Sequence, residues 1–190
     1  MDPTAEMFLR FVQPHYQRLH RVSRQYVMSE EDARDLVQET LLRAWGVFQP
    51  TEEKTYRRAW LFKIMRHIAC DWWRLQQRRV RLTHVPDEEL TQLAPSDLGE
   101  PYCPLPNMDE QQFRQFLDDQ VAAALDRLHD AHREVLIFSV VGELNYREIA
   151  GVLECPMGTV MSRMARARRA LREELADYAR SRGIGTGGRR

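Results

Sequence analysis

One stretch constrains this chain more than any other. Residues 145–171, NYREIAGVLECPMGTVMSRMARARRAL, lay out two amphipathic helices around a short turn. Tyr146–Leu153 carries Ile149, Val152 and Leu153 on one side, with Ala150 small enough for close helix contact. Glu154, Cys155 and Pro156 interrupt the pattern, and proline suits the first turn of a new helix because its missing N–H has no partner there anyway. From Met157 onward the helical period resumes. At about 100° per residue, Val160, Met164, Ala167 and Leu171 fall on one face, and Thr159, Ser162, Arg163 and Arg166 are expected on the opposite one. Five arginines lie from Arg163 to Arg172, with no acid before Glu173. Short hydroxyls followed by guanidinium groups suit a helix whose end enters a major groove and meets base edges and phosphates. An ordinary core helix can also present a solvated basic face. The short first helix, the turn and the polar outward face occur together here, which favours DNA.

Composition narrows the class. At 190 residues the chain accommodates one domain or two small ones, and 43% hydrophobic residues suffice for real cores. No apolar run approaches the ~20 residues that span a bilayer, so no membrane insertion is expected. The N-terminal MDPTAEMFLRF does not read as a secretory signal. Cys70, Cys103 and Cys155 are odd in number and far apart, which fits a reducing cytoplasm without a disulfide framework. His67 and Cys70 share a helix face, but HxxC alone lacks the other ligands of a zinc site, so packing is the expectation and no metal is assigned. The formal charge of +0 hides a segregation. Residues 1–79 carry 14 basic and 10 acidic side chains, residues 80–120 carry 2 and 9, and residues 121–190 carry 12 and 9. Two basic modules joined by an acidic strap suit a protein that meets nucleic acid at both ends.

Residues 4–27 read as an amphipathic helix with Phe8, Phe11, Val12, Leu19, Val22 and Tyr26 inward, bent or reset at Pro14. Ser29 followed by Glu30, Glu31 and Asp32 marks a second helix start. That helix is expected to reach about Phe48, with Ala33, Leu36, Val37, Leu41, Ala44 and Trp45 in the core. Its other face holds Asp35, Gln38, Glu39, Leu42 and Arg43, a combination suited to docking. After a polar loop over residues 49–55, a long helix over 56–79 places Trp60, Ile64, Ile68, Trp72 and Leu75 inward. Its basic population is Arg57, Arg58, Lys63, Arg66, Arg74, Arg78 and Arg79. Cations interleaved with aromatics suit single-stranded DNA, where bases stack and phosphates need counter-charge. Two of Trp60, Trp72 and Trp73 are expected to be core.

Residues 80–118 read as an extended linker, since TQLAPSDLGEPYCPLPN carries four prolines and little periodicity. A short helix is expected only near residues 111–117. The acidity of the segment serves solubility or lets it occupy a basic channel built for nucleic acid. Helices are expected over 119–128 and 131–141, the second ended by Gly142. The Gly-rich end after residue 178 is expected to be a flexible tail.

Together, the two halves resemble the extracytoplasmic-function sigma factors of bacterial RNA polymerase. DARDLVQETLLRAWGVF (residues 32–48) and RAWLFKIMRHIACDWWR (residues 58–74) look like sigma region 2. The stretch over residues 128–171 looks like region 4, with GTVMSRMARAR its most specific piece. The resemblance implies an all-α protein of two small helical domains, region 2 over 1–79 and region 4 over 119–178, joined by the linker 80–118 and followed by a tail over 179–190. It implies that Asp35, Gln38, Glu39, Leu42 and Arg43 dock on core RNA polymerase, whose β′ and β subunits become partners. It also implies that Gln49 and the loop after it, with Arg57, Arg58, Trp60, Lys63, Arg74 and Arg78, handle the −10 element. In this family that loop captures a base flipped from the non-template strand. Thr159, Ser162, Arg163 and Arg166 would recognise the −35 element of promoter DNA. The acidic linker would thread toward the active-site and RNA-exit channel. An anti-sigma factor is the implied regulator. His67 stands where the family often has Asn, and Met161 and Ala165 are smaller or less polar than the residues some relatives place near −35 DNA.

Other expectations remain open at this point. Residues 145–171 alone fit a helix-turn-helix repressor or activator that binds palindromic duplex without core polymerase. A helical interaction module without a DNA role is the third reading. An enzyme is the weakest, because the six histidines form no triad or metal pattern and no nucleotide-binding glycine loop is present. No catalytic residue and no cofactor are assigned.

Overall fold

The computed structural model describes residues 2–48, 57–84 and 119–182, with backbone alone for residues 57, 79–84 and 119. The described residues form helices joined by turns, with no strand. The order is α1 (Pro3–Val12), α2 (Tyr16–Ser23), α3 (Glu30–Gly46), α4 (Arg57–His84), α5 (Asp119–Asp126), α6 (Asp130–Val140), α7 (Tyr146–Leu153), α8 (Met157–Glu174) and α9 (Ala176–Ser181). The fold class is the expected one, all-α. Of the expected linker 80–118, residues 80–84 belong to α4 and 85–118 lie outside the described residues, as does the expected loop 49–55; of the expected tail 179–190, the first residues belong to α9 and the last eight positions lie outside the described residues. Helix α4 runs on to His84, past the expected end at residue 79.

Local chemistry sets the ends. The single helix expected over 4–27 is two, because Pro14 cannot donate into a helical ladder, and α1 stops at Val12 while α2 starts at Tyr16. Asp2 caps α1 by accepting from the Thr4 amide at 3.0 Å. Ser29 caps α3, its Oγ accepting from the Asp32 amide at 2.9 Å, a contact worth about 1 kcal/mol. Three acids in that first turn complement the helix dipole. Helix α3 ends at Gly46, two residues short of the expected Phe48. At the end of α6, Gly142 lies so close to the Phe138 carbonyl that a Cβ there would sit 2.8 Å from the oxygen. That approach lets the chain reverse through Glu143, at φ 55°, into α7.

A single apolar core passes through both halves. It joins Phe8, Leu19 and Leu36 of the N-terminal helices to Phe62, Met65 and Ile68 of α4. From there it continues into Val135, Phe138, Ile149, Val160 and Met164 of the C-terminal helices. Leu125, Leu128 and Ala167 form a satellite cluster beneath α5. Helix α4 is the shared wall, with α3 against one side and α7 against the other.

This double packing corrects two expectations about α4, and α3 adds a third. Helix α4 buries Ala59, Leu61, Phe62, Met65, Ile68, Ala69 and Cys70, an arc too wide for one stripe. Of the expected inward set Ile68 is fully buried, Trp60, Ile64 and Trp72 are half-buried, and Leu75 is exposed. Arg66, read as part of a DNA-facing population, is in the core at 5% exposure. Trp45 of α3 is 39% exposed and leans its edge on Phe8, with ring centroids 5.3 Å apart.

Candidate nucleic-acid interface

The C-terminal site is built on the α7–turn–α8 unit. Asn145 and Glu148 cap α7 reciprocally. The Asn145 side chain accepts from the Glu148 amide at 3.0 Å, and the Glu148 carboxylate accepts from the Asn145 amide at 2.8 Å. The turn passes through Glu154 in the left-handed region, at φ 53° and ψ 38°. The Cys155 amide closes it by donating to the Ala150 carbonyl at 3.2 Å. Glycine is the usual occupant of such a position, and another residue there costs about 1 kcal/mol. Glu154 is there for its side chain, which Lys63 and His67 of α4 hold at 2.7 and 3.1 Å.

Helix α8 buries Val160, Met164 and Ala167, as its period requires, and leaves Leu171 half-buried. Its outward face differs in detail from expectation. Ser162 and Arg166 are exposed, whereas Thr159 and Arg163 are half-buried on the flank. Packing against α6 turns that flank inward. Burial lowers the His132 pKa first, and the charges of His129, Arg166 and Arg163 lower it further. Met157, Gly158, Met161, Ala165, Arg168, Arg169 and Arg172 are exposed as well. Among the described residues Arg166, Arg168 and Arg169 form no salt bridge.

On α3, Asp35, Gln38, Leu42 and Arg43 are exposed and Glu39 is half-buried, so the five candidate docking residues share one outward face. Leu42 is 64% exposed. Glu39 is oriented from two sides, by Arg43 at 2.6 Å and by the Trp72 indole N–H at 3.1 Å.

The α4 candidates divide. Arg74 and Arg78 are exposed, and Arg74 lies 3.2 Å from Asp71. Trp60 is half-buried. Gln49 lies outside the described residues, and only the backbone of Arg57 is described. Arg58 and Lys63 point into a seam between the two halves. Arg58 grips the Glu148 carboxylate with two parallel hydrogen bonds of 2.6 and 2.7 Å. Arg18 reaches Glu143 at 2.7 Å. Deeper in, Arg66 and the Tyr26 hydroxyl both donate to Glu134 at 2.8 Å. Four carboxylates of the C-terminal half therefore occupy cations of the N-terminal half. No sequence pattern marked Glu134, Glu143, Glu148 or Glu154, because each contact joins residues far apart in the chain.

The seam is pH-sensitive with a definite sign. Burial pushes the Glu148 carboxyl up, but hydrogen bonds from Arg58 and from the Asn145 amide outweigh it and leave the pKa lowered. Lys63, against a smaller opposing effect of burial, and then His67 lower that of Glu154. Groups with depressed native pKa stabilise fully above their unfolded value, and the contribution fades as pH falls through the native one. The share of the urea midpoint owed to these carboxyls should therefore be complete above about pH 4.5, their ordinary value, and fade below it, whereas the lowered pKa of His132 makes stability start to fall already below about pH 6.5. Glu148→Gln should flatten part of that drop.

An all-helical chain with a helix-turn-helix at one end and a basic, aromatic-rich long helix at the other defines a two-module DNA-binding protein. Comparison with known families places it further. Sigma-70 region 2 matches residues 11–79, and Sigma-70, region 4 matches residues 118–171. The RNA polymerase sigma-E factor of Streptomyces coelicolor is 30% identical over 168 residues, covering 88% of this chain and 85% of its own length. The ECF RNA polymerase sigma factor SigE of Mycolicibacterium smegmatis is 29% identical over 168 residues, again 88% of this chain, which spans 61% of SigE. Among solved structures, the sigma factor RpoE in complex with the anti-sigma factor NepR from Bartonella quintana aligns at TM-score 0.62. It has 26% identity, over 89% of this chain and 96% of RpoE. CnrH in complex with the cytosolic domain of CnrY aligns at TM-score 0.55 and 26% identity, over 90% and 88%.

The chain belongs to the extracytoplasmic-function sigma factors of the sigma-70 family. It is a transcription initiation factor and not an enzyme, and the region 2 match excludes a stand-alone helix-turn-helix repressor. Among the described residues no helix is long and apolar enough to cross a membrane.

Proposed function

We propose that this protein works in the cytoplasm as the promoter-recognition subunit of RNA polymerase, with its contacts divided among three surfaces. The outward face of α3, through Asp35, Gln38, Glu39, Leu42 and Arg43, docks on core polymerase. Residues 49–55 and the basic side of α4, with Arg57, Arg58, Trp60, Lys63, Arg74 and Arg78, hold and melt the −10 element. Helix α8, through Ser162 and Arg166 at its exposed centre and Thr159 and Arg163 on its flank, grips the −35 element. The helices up to α4 and those from α5 to α9 act as the two promoter-binding units, with the acidic strap that follows α4 between them and a tail after α9.

The observation that carries this reading is the exposure of Arg166, Arg168 and Arg169 on α8, on the same chain as a region 2 half. One feature of the seam bears on regulation. Arg58 and Lys63, assigned to DNA, are held by Glu148 and Glu154, so DNA and the C-terminal half compete for the same cations. Promoter engagement therefore requires the halves to separate. Of the similar solved structures, the sigma factor RpoE is in complex with the anti-sigma factor NepR, and CnrH with the cytosolic domain of CnrY. An anti-sigma partner for this chain follows by that likeness.

Run-off transcription with core polymerase on a library of promoter fragments tests the reading. Start sites that appear only with the protein are expected. Arg166→Ala should lower output from the recovered promoters about tenfold, since one Arg contact to a base or phosphate is worth roughly 1–3 kcal/mol. The slope of log affinity against log salt should fall by about one where the contact is to phosphate. Transcripts independent of the protein on every fragment would sink the assignment.

A further inference from the structure

The exposed face of α8 is not uniformly polar. Met157 and Met161 are 49% and 51% exposed, with Ala165 exposed beside them. The three follow one another at intervals of four residues, a strip with a rise of about 12 Å, or some three to four base-pair steps. Gly158 and Ser162 form the next row, and a Cβ at Gly158 would meet nothing within 4 Å. Exposed Arg166 and Arg169 border these rows. The core of this half is already filled by Val160, Met164 and Ala167 from the other face of the same helix. The methionines are therefore surplus to packing.

An apolar strip bordered by arginines on a groove-reading helix has one complementary feature in DNA. The major-groove edge of thymine carries a C5 methyl group, which apolar side chains contact. Methionine is unbranched and polarisable, so it can settle against a methyl without needing one fixed geometry. The neighbouring guanidinium groups supply the phosphate attraction that brings the helix there.

We propose that Met161, flanked by Met157 and Ala165, is a specificity-determining residue of α8 that recognises thymine through its C5 methyl group. This rests on α8 being the −35 reader. It adds a class of base that the hydroxyl and arginine contacts do not select.

The test uses the full chain with core polymerase on −35 fragments recovered from the run-off library. Each thymidine is replaced singly by deoxyuridine, which removes the methyl and leaves the pairing edge intact. At one or two positions deoxyuridine should weaken binding about fourfold, the worth of one buried methyl-sized group. Met161→Gln should bind thymidine as weakly as deoxyuridine at those positions, and Met161→Leu should keep the discrimination. Because Met161 lies on the surface, the helical circular dichroism of both variants should match that of the parent. Equal binding of thymidine and deoxyuridine at every position overturns the proposal, as does discrimination that survives in Met161→Gln. A recovered −35 element without thymine on either strand overturns it too. If instead Arg166→Ala leaves −35 use unchanged, α8 is not the reader, and that earlier assignment fails along with this one.

Discussion

Glu134→Ala should destabilise the protein by about 3–5 kcal/mol, the usual cost of breaking a buried ion pair from one side. The Arg66 and Glu134 side chains are 7% and 6% exposed and lie 2.8 Å apart. Burial opposes the charge on Arg66, yet Glu134, with Tyr26 and Cys70 adding to it, raises the guanidinium pKa well above its ordinary value. Arginine stays protonated at any accessible pH, so removal of Glu134 leaves a cation in the core without its carboxylate. The Tyr26 hydroxyl loses its 2.8 Å acceptor at the same time. A lower urea midpoint at unchanged m-value is the signature to look for. Glu134→Gln keeps an acceptor oxygen and should cost less. The pair Arg66→Met with Glu134→Leu removes both charges and should recover most of the loss, since a buried ion pair often fares no better than an apolar pair of similar volume. A loss below about 1 kcal/mol for Glu134→Ala would mean that Arg66 reaches water and that the seam is not closed in solution.

Phe62→Ala has a comparable expected cost, about 3–5 kcal/mol for a large-to-small change in a packed core. Phe62 is fully buried, and its ring meets that of Phe138 edge-on, with centroids 6.0 Å apart at 84°. The contact joins α4 to α6, so the cavity opens where the two halves meet. Both stability and coupling between the halves should suffer. All four tryptophans lie in residues 45–73, so indole fluorescence follows the N-terminal half, whereas far-ultraviolet circular dichroism follows every helix. The two unfolding curves should coincide for the parent protein and part for Phe62→Ala, with the C-terminal half loosening first. Coincident curves with a full loss of stability would show that the halves stay one cooperative unit without this ring pair.

The legible parts of this molecule were those written over a few consecutive turns. Pro14, Ser29 and Gly142 act on backbone groups within four residues of themselves, so the helix ends they set can be read directly. The α7–turn–α8 unit was legible for the same reason, since Ile149, Val152, Val160 and Met164 repeat with the helix and bury as the repeat requires. Its left-handed turn residue was not foreseen. Glutamate at Glu154 makes sense only once Lys63 and His67 are seen against it. The outward face of α3 was legible because Asp35, Gln38, Leu42 and Arg43 stand opposite a regular buried stripe.

Helix α4 was misread because periodicity assumes one buried face. Packed between α3 and α7, it buries Leu61, Phe62 and Met65 in addition to Ile68, and draws Arg66 in with them. Charged residues are read as solvent-facing because an unpaired buried charge is costly. Arg66 and Glu134 escape that rule by pairing across 68 positions of chain, which no local pattern encodes. By itself, then, the sequence determined the helices, the helix-turn-helix and the family, all of which depend on short-range spacing and order along the chain. Only the tertiary structure decided that Arg58, Lys63 and Arg66 meet carboxylates of the other half. Such partners are chosen by which surfaces can be desolvated together, and that is a property of the packed core.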